Sequence, residues 1–171
     1  MKIAMFGHKR IPSREGGVEI VVEELASRMV KTGNEVTCFN RNGKGCVSQK
    51  YGKRYNFNGI EVKTVPTIDK KGMAAVTAAF FSSVMAAFGK YDIVHIHAEG
   101  PAFFSWIPKL FHKKIVVTVH GLDWQREKWK GGFGAKFIRK GEENAVKYAD
   151  EIIVLSKNVE QYFKTRYNRI T

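Results

Sequence analysis

The chain has 171 residues, 44% of them hydrophobic and 12% aromatic, enough to bury one substantial core. Its 29 Lys and Arg outnumber 16 Asp and Glu, a formal net charge of +13 at pH 7. That balance favours polyanions (nucleic acid, nucleotide phosphates, an anionic membrane face), or it serves only a solvated surface.

Met1–Gly7 is an apolar run too short for a signal peptide, and it reads as a first strand. The loop that follows ends in Gly16-Gly17, where a helix begins. A strand, a glycine turn and a helix make a phosphate-binding layout. Backbone N–H groups without a Cβ beside them can approach a ligand, and the positive end of the helix dipole points the same way. The plainer reading is that the glycines only make the turn. The helix is predicted from Val18, Val21, Val22, Leu25 and Met29 on one face, with Glu19, Glu23 and Glu24 early, Arg28 and Lys31 late, and Gly33 as the stop. Glu35–Asn40 is strand-like. Arg41–Asn58 is polar and glycine-rich, and is expected to hold little regular structure. Cys38 and Cys46 have neither CxxC nor metal spacing, and read as reduced thiols of a cytoplasmic protein.

Gly59–Pro66 alternates like a strand. Met73–Phe88 is apolar on most sides, which predicts a mostly buried helix too short to span a membrane. Asp92–His97, Lys114–His120 and Glu151–Leu155 are Val- and Ile-rich runs suited to parallel strands covered on both faces. Helices are predicted over Pro101–Phe111, Phe133–Tyr148 and Lys157–Tyr167. The alternation of strand and helix predicts a doubly wound, mainly parallel α/β sheet with helices on both faces.

Ligands of such sheets bind at the carboxyl ends of the strands. Those ends carry Gly7–Gly17; His95, His97, Glu99 and Gly100; His120, Gly121, Asp123 and Trp124; and Ser156. His95 and His97 share a strand face, and with His120 they would make a conceivable zinc site. No close carboxylate or thiolate completes a ligand set, so no metal is expected. His95 reads as a structural histidine, whereas His97 and His120 lie later on their strands and are expected at the rim. No GxSxG, GxGxxG or Walker sequence is present, which disfavours a serine hydrolase, a dinucleotide dehydrogenase and a P-loop NTPase. Trp124, Arg126, Lys128, Trp129 and Lys130 could stack on bases or sugars, or form a loop with one buried indole.

Taken together, IPSREGGVEIVVEELASRMVKTGNEVTCF, DIVHIHAEGPA, VVTVHGLDWQREKW and ADEIIVLS resemble the amino-terminal half of retaining glycosyltransferases of family 4, from about Met1 to about Tyr167. The likeness extends to the bacterial polysaccharide-assembly branch of rhamnosyl- and glucosyltransferases. It implies one Rossmann-like half of the two-domain GT-B fold and metal-independent chemistry without a cofactor. By position, Gly16 and Gly17 match the glycine loop near donor phosphates and acceptor. His120 matches the histidine that approaches the donor sugar and is the candidate catalytic residue. His97, Glu99 and Gly100 match the acceptor-side loop, and Asp123, Trp124, Arg126 and Trp129 a branch-specific stretch. The family's nucleotide-holding domain, with its EX7E motif, has no counterpart in residues 1–171; Glu15/Glu23 and Glu143/Glu151 have the spacing but not the context. The resemblance therefore implies an acceptor-side domain, inactive alone, of an enzyme that transfers sugar from a nucleotide-sugar to a polysaccharide or lipid-linked acceptor. Nucleic acid is not an expected partner on that reading. An anionic inner membrane face is one, with Lys70, Lys71, Lys113 and Lys114 flanking the most apolar helices. The rival reading is a non-enzymatic basic module that binds nucleic acid or an anionic surface.

Overall fold

The computed structural model describes residues 1–43, 52–70, 72–125 and 132–171. They form a seven-stranded sheet in the order β3-β4-β2-β1-β5-β6-β7. The strands are β1 (Lys2–Phe6), β2 (Glu35–Arg41), β3 (Arg54–Phe57), β4 (Ile60–Val65), β5 (Ile93–His97), β6 (Lys114–Val119) and β7 (Glu151–Val154). All pairings are parallel except β3 with β4. The helices are α1 (Gly17–Lys31), α2 (Met73–Phe88), α3 (Glu99–Ala102), α4 (Trp106–Leu110), α5 (Phe133–Tyr148) and α6 (Lys157–Tyr167).

The pleat sorts the core into two layers. Ile3, Met5, Val36, Cys38, Ile60 and Val62 face Val22 and Ala26 of α1. Ala4, Phe6, Phe39, Val94, Ile96, Ile115 and Val117 face α2, α3, α5 and α6, from which Ala78, Ala102, Ala145 and Phe163 reach inward. The predicted doubly wound sheet is therefore observed, with α1 on one face and the later helices on the other. The chain runs outward from β1 through β2 and β4, then returns to β5 on the other side of β1. The switch point lies between the carboxyl ends of β1 and β5, after Phe6 and His97.

Helix ends follow local chemistry. Thr32 closes α1; beyond it Gly33 takes φ +84 and donates to the Val30 carbonyl, and the Asn34 N–H reaches the Met29 carbonyl. The Ser156 hydroxyl accepts from the Val159 N–H and caps α6, which accounts for a serine at a strand end without catalysis.

Three expectations are corrected. Part of the supposed excursion is a strand: Arg54–Phe57 pairs antiparallel with β4. Asn58 (φ 50) and Gly59 (φ 85) make the two-residue turn, a conformation open to those residue types. Residues 44–51 of that excursion, Cys46 among them, lie outside the described residues. The predicted helix over 101–111 is two short helices, α3 and α4. Finally, α2 is not mostly buried. Ala78, Ala79, Ser82, Ser83, Ala86 and Ala87 face the sheet, while Met73, Phe80, Met85 and Phe88 are exposed.

Candidate functional site

At the carboxyl edge, β1 is followed by Gly7, whose φ of +118 suits glycine alone. A Cβ there would press on the His97 carbonyl, 2.8 Å from its carbon. The loop beyond is held by two carboxylates from α1: Glu19 accepts from the Lys9 N–H at 2.9 Å, and Glu23 from the Ser13 N–H at 3.3 Å and from Arg14 at 3.2 Å. These glutamates are buried, so they organise the loop as well as complement the dipole. Asn40 adds a third tie, accepting from the Ile11 N–H and donating to its carbonyl. Gly16 stands extended before α1 with no side-chain cap, and Gly17 is exposed with nothing within 4 Å of where its Cβ would be. The first turn of α1 is thus open at Gly17, whereas at Gly16 the Glu19 carboxyl carbon lies 3.3 Å from where a Cβ would be.

Next to it, histidines stack across β5 and β6. His95 Nε2 meets Thr118 Oγ1 at 2.7 Å in the core, the structural role expected. His97 lies 4.3 Å from His95, ring to ring, and its Nδ1 meets His120 Nε2 at 3.1 Å. His97 is fully buried, so it does not reach the rim as expected; His120, one residue past β6, is half-buried. Burial holds His97 well below the ordinary histidine range, with His95 and His120 adding to the effect. Burial likewise lowers His8 and His95 to about 4. His8, His95 and His97 are neutral at pH 7, and it is a neutral His97 that holds His120 by a hydrogen bond. Among the described residues, no group of three His, Cys, Asp or Glu side chains is arranged to hold a metal ion.

Ala98, at φ +77, turns the chain inward after His97, so that Glu99 opens α3 fully buried. Its Oε2 accepts from the Asp123 N–H at 2.8 Å and so fixes the loop after His120. Oε1 is buried and meets no donor. Burial, then the Glu142 carboxyl beside it, push Glu99 up to about 9. Glu99 therefore carries a proton at neutral pH. Glu142, also buried, accepts from Trp124 Nε1 (2.9 Å), Tyr162 (2.8 Å) and Tyr167 (2.5 Å). Trp124 is further covered by the Arg139 guanidinium, 4.7 Å from its ring. Its indole serves an internal carboxylate, a role sequence reasoning left unassigned. Gly100 lies in α3, and a Cβ there would make only ordinary contact with Ile138. Arg126 and Trp129 lie outside the described residues.

The family model of glycosyltransferase family 4 matches residues 15–170. The chain belongs to glycosyltransferase family 4. No curated protein sequence matches it. Among solved structures, a sucrose-phosphate synthase from Thermosynechococcus elongatus aligns over 96% of this chain and 45% of its own, with TM-score 0.73 and 16% identity. An α-glucosyltransferase solved with UDP and a 13-mer DNA containing a central A:G mismatch aligns over 92% of this chain and 38% of its own, with TM-score 0.51 and 18% identity. These likenesses show the fold. The family 4 chain spans less than half the length of either protein.

Proposed function

We propose that this domain is the acceptor-side half of a transferase that moves a sugar, with retention, from a nucleotide-sugar donor to a polysaccharide or lipid-linked acceptor. One observation carries the reading: in a family 4 chain, an uncapped glycine turn at Gly16-Gly17 shares the carboxyl edge with half-exposed His120. The amides of that turn would stabilise charge that develops on the leaving phosphate. His120 would orient a hydroxyl of the donor sugar, held in place by the neutral His97. Gly100 and Asp123 would frame the acceptor side. Glu99 and Trp124 would act through the loop they hold rather than by touching sugar. A second, nucleotide-holding domain would supply the rest of the donor site, so residues 1–171 alone release no product from any nucleotide sugar.

In an enzyme that carries both halves, Gly17→Val fills the open space at the turn and abolishes transfer. His120→Ala lowers kcat with the fold intact, as read by circular dichroism. Undiminished kcat and KM in both variants would overturn the reading, as would turnover by the purified 171-residue chain.

A further inference from the structure

The hydrogen bond between His97 and His120 has a direction, and that direction sets what His120 can recognise. His97 Nδ1 and His120 Nε2 stand 3.1 Å apart, so one nitrogen carries the hydrogen and the other accepts it. His97 is fully buried and neutral, so it has one N–H to place on two ring nitrogens. Its other nitrogen, Nε2, is buried and meets no hydrogen-bond partner among the described residues. With the proton on Nε2, a buried N–H would have nothing to accept it. With the proton on Nδ1, the N–H is used on His120 and only a lone pair stays unpaired. Stranded buried N–H groups are the rarer of the two in folded proteins.

Two neighbours point the same way. The pleat puts Val94 and Ile96 in the core beneath α2, and Ile93 in the core beneath α1. His97 shares its face with Ile93, so its ring lies on the α1 side, at the edge where α1 begins. The positive end of that helix favours a lone pair over an N–H. His8 repeats the arrangement. Its Nε2 meets Asn40 Oδ1 at 3.0 Å, and Oδ1 also accepts from the Ile11 N–H, so it is an acceptor and His8 Nε2 is the donor. The His8 nitrogen left buried and unpartnered, Nδ1, is therefore a lone pair as well.

We infer that His97 donates from Nδ1 to His120 Nε2 and thereby fixes the His120 proton on Nδ1, so that His97 is a positioning residue that makes His120 a hydrogen-bond donor. The ligand atom that His120 meets is then an oxygen with a lone pair, on a sugar hydroxyl or a phosphate. A ring nitrogen that already carries hydrogen takes no second proton, so at Nδ1 His120 orients its ligand and is not a base. The proton placement stands by itself; only the identity of the ligand atom rests on the transfer reading.

The test is two-bond correlation of ring protons with ring nitrogens in the 171-residue chain, labelled with 15N-histidine, at about pH 8, where an exposed imidazole is neutral. Nitrogens with and without hydrogen separate clearly in shift, and single substitutions assign the five histidines. His97 and His120 should each carry hydrogen on Nδ1 and none on Nε2, His8 the reverse, and exposed His112 an average of the two forms. H97L removes the donor, and the His120 pattern should shift to the His112 average, with thermal melting to check the fold. In an enzyme that carries both halves, H97L should lower kcat/KM, and the same change made on H120A should lower it no further, because His97 acts through His120. Hydrogen on Nε2 of His97 or His120, an unmoved His120 pattern in H97L, or additive losses in the double variant would overturn the proposal. The nitrogen shifts need no turnover, so they can fail while the transfer reading holds, and hold while it fails.

Discussion

Acidification from pH 7 to pH 5 should destabilise this domain through its buried imidazoles. His8 and His95 are both lowered to about 4 by burial, against an ordinary value of 6.5. The unfolded chain therefore binds protons in this window that the folded chain refuses, and stability falls as pH drops from 6.5 toward 4. At pH 5 each ring stands about 1.5 pH units below its unfolded pKa while the folded ring stays mostly neutral, so each costs about 2 kcal/mol at ~1.4 kcal/mol per unit. His97 is lowered too and acts in the same direction. For a chain of this size, ~4 kcal/mol from the first two corresponds to a fall in Tm of about 8–16 °C. Urea denaturation at both pH values gives the loss directly. The chain also becomes more positive in acid, so the isolating measurement is H95Q, whose amide can still reach Thr118. It should recover about 2 kcal/mol of the difference between pH 7 and pH 5. An H95Q chain with the wild-type pH slope would refute the argument.

Glu99 has the opposite sign. Its carboxyl is raised from 4.5 to about 9, so its contribution is full below pH 4.5 and gone above about pH 9. E99Q keeps a neutral donor beside Glu142, and denaturation at pH 7 and pH 9 should show a smaller alkaline loss than in wild type. Gly7→Ala should unfold the domain or cost about 3 kcal/mol or more, because it combines a positive φ with a clash against the His97 carbonyl; a soluble variant with the wild-type denaturation midpoint would count against it. Phe163→Ala empties a fully buried site beneath α6 and should cost about 3–5 kcal/mol by urea denaturation.

Much of the fold was legible. Helices α2, α5 and α6 begin and end at the predicted residues, since each is bounded by glycine, proline-free turns or a cap. The parallel strands announced themselves as Val- and Ile-rich runs. Strand β3 escaped because Tyr55 and Phe57 alternate with polar residues inside a polar stretch; Asn58-Gly59, the hairpin signal, was present and went unread. The orientation of α2 was not legible. A helix apolar all round gives no inward direction, and the small side chains that let it sit close to the sheet decided it. At the site, strand ends placed His120 correctly near the rim. They could not show that His97 turns inward, nor that Glu99 meets Glu142, because that pairing is made by α3 lying against α5. Gly141 permits the close approach: a Cβ there would fall 2.9 Å from the Glu99 carbonyl carbon.

Glu142 ties together parts of the chain that lie far apart in sequence. Its carboxylate gathers the Trp124 indole from the loop after β6 and two phenols from α6, the last helix described. Force applied to the end of α6 would therefore reach the loop beside His120 through the two Glu142 oxygen atoms and through the Tyr162 ring, which lies 6.4 Å from the Trp124 ring. The same convergence restricts how these positions can diverge. Replacing Glu142 strands three donors at once, and replacing any donor leaves a buried carboxyl oxygen short of a partner, so single exchanges are penalised more than a concerted one. The four side chains are expected to vary as a set.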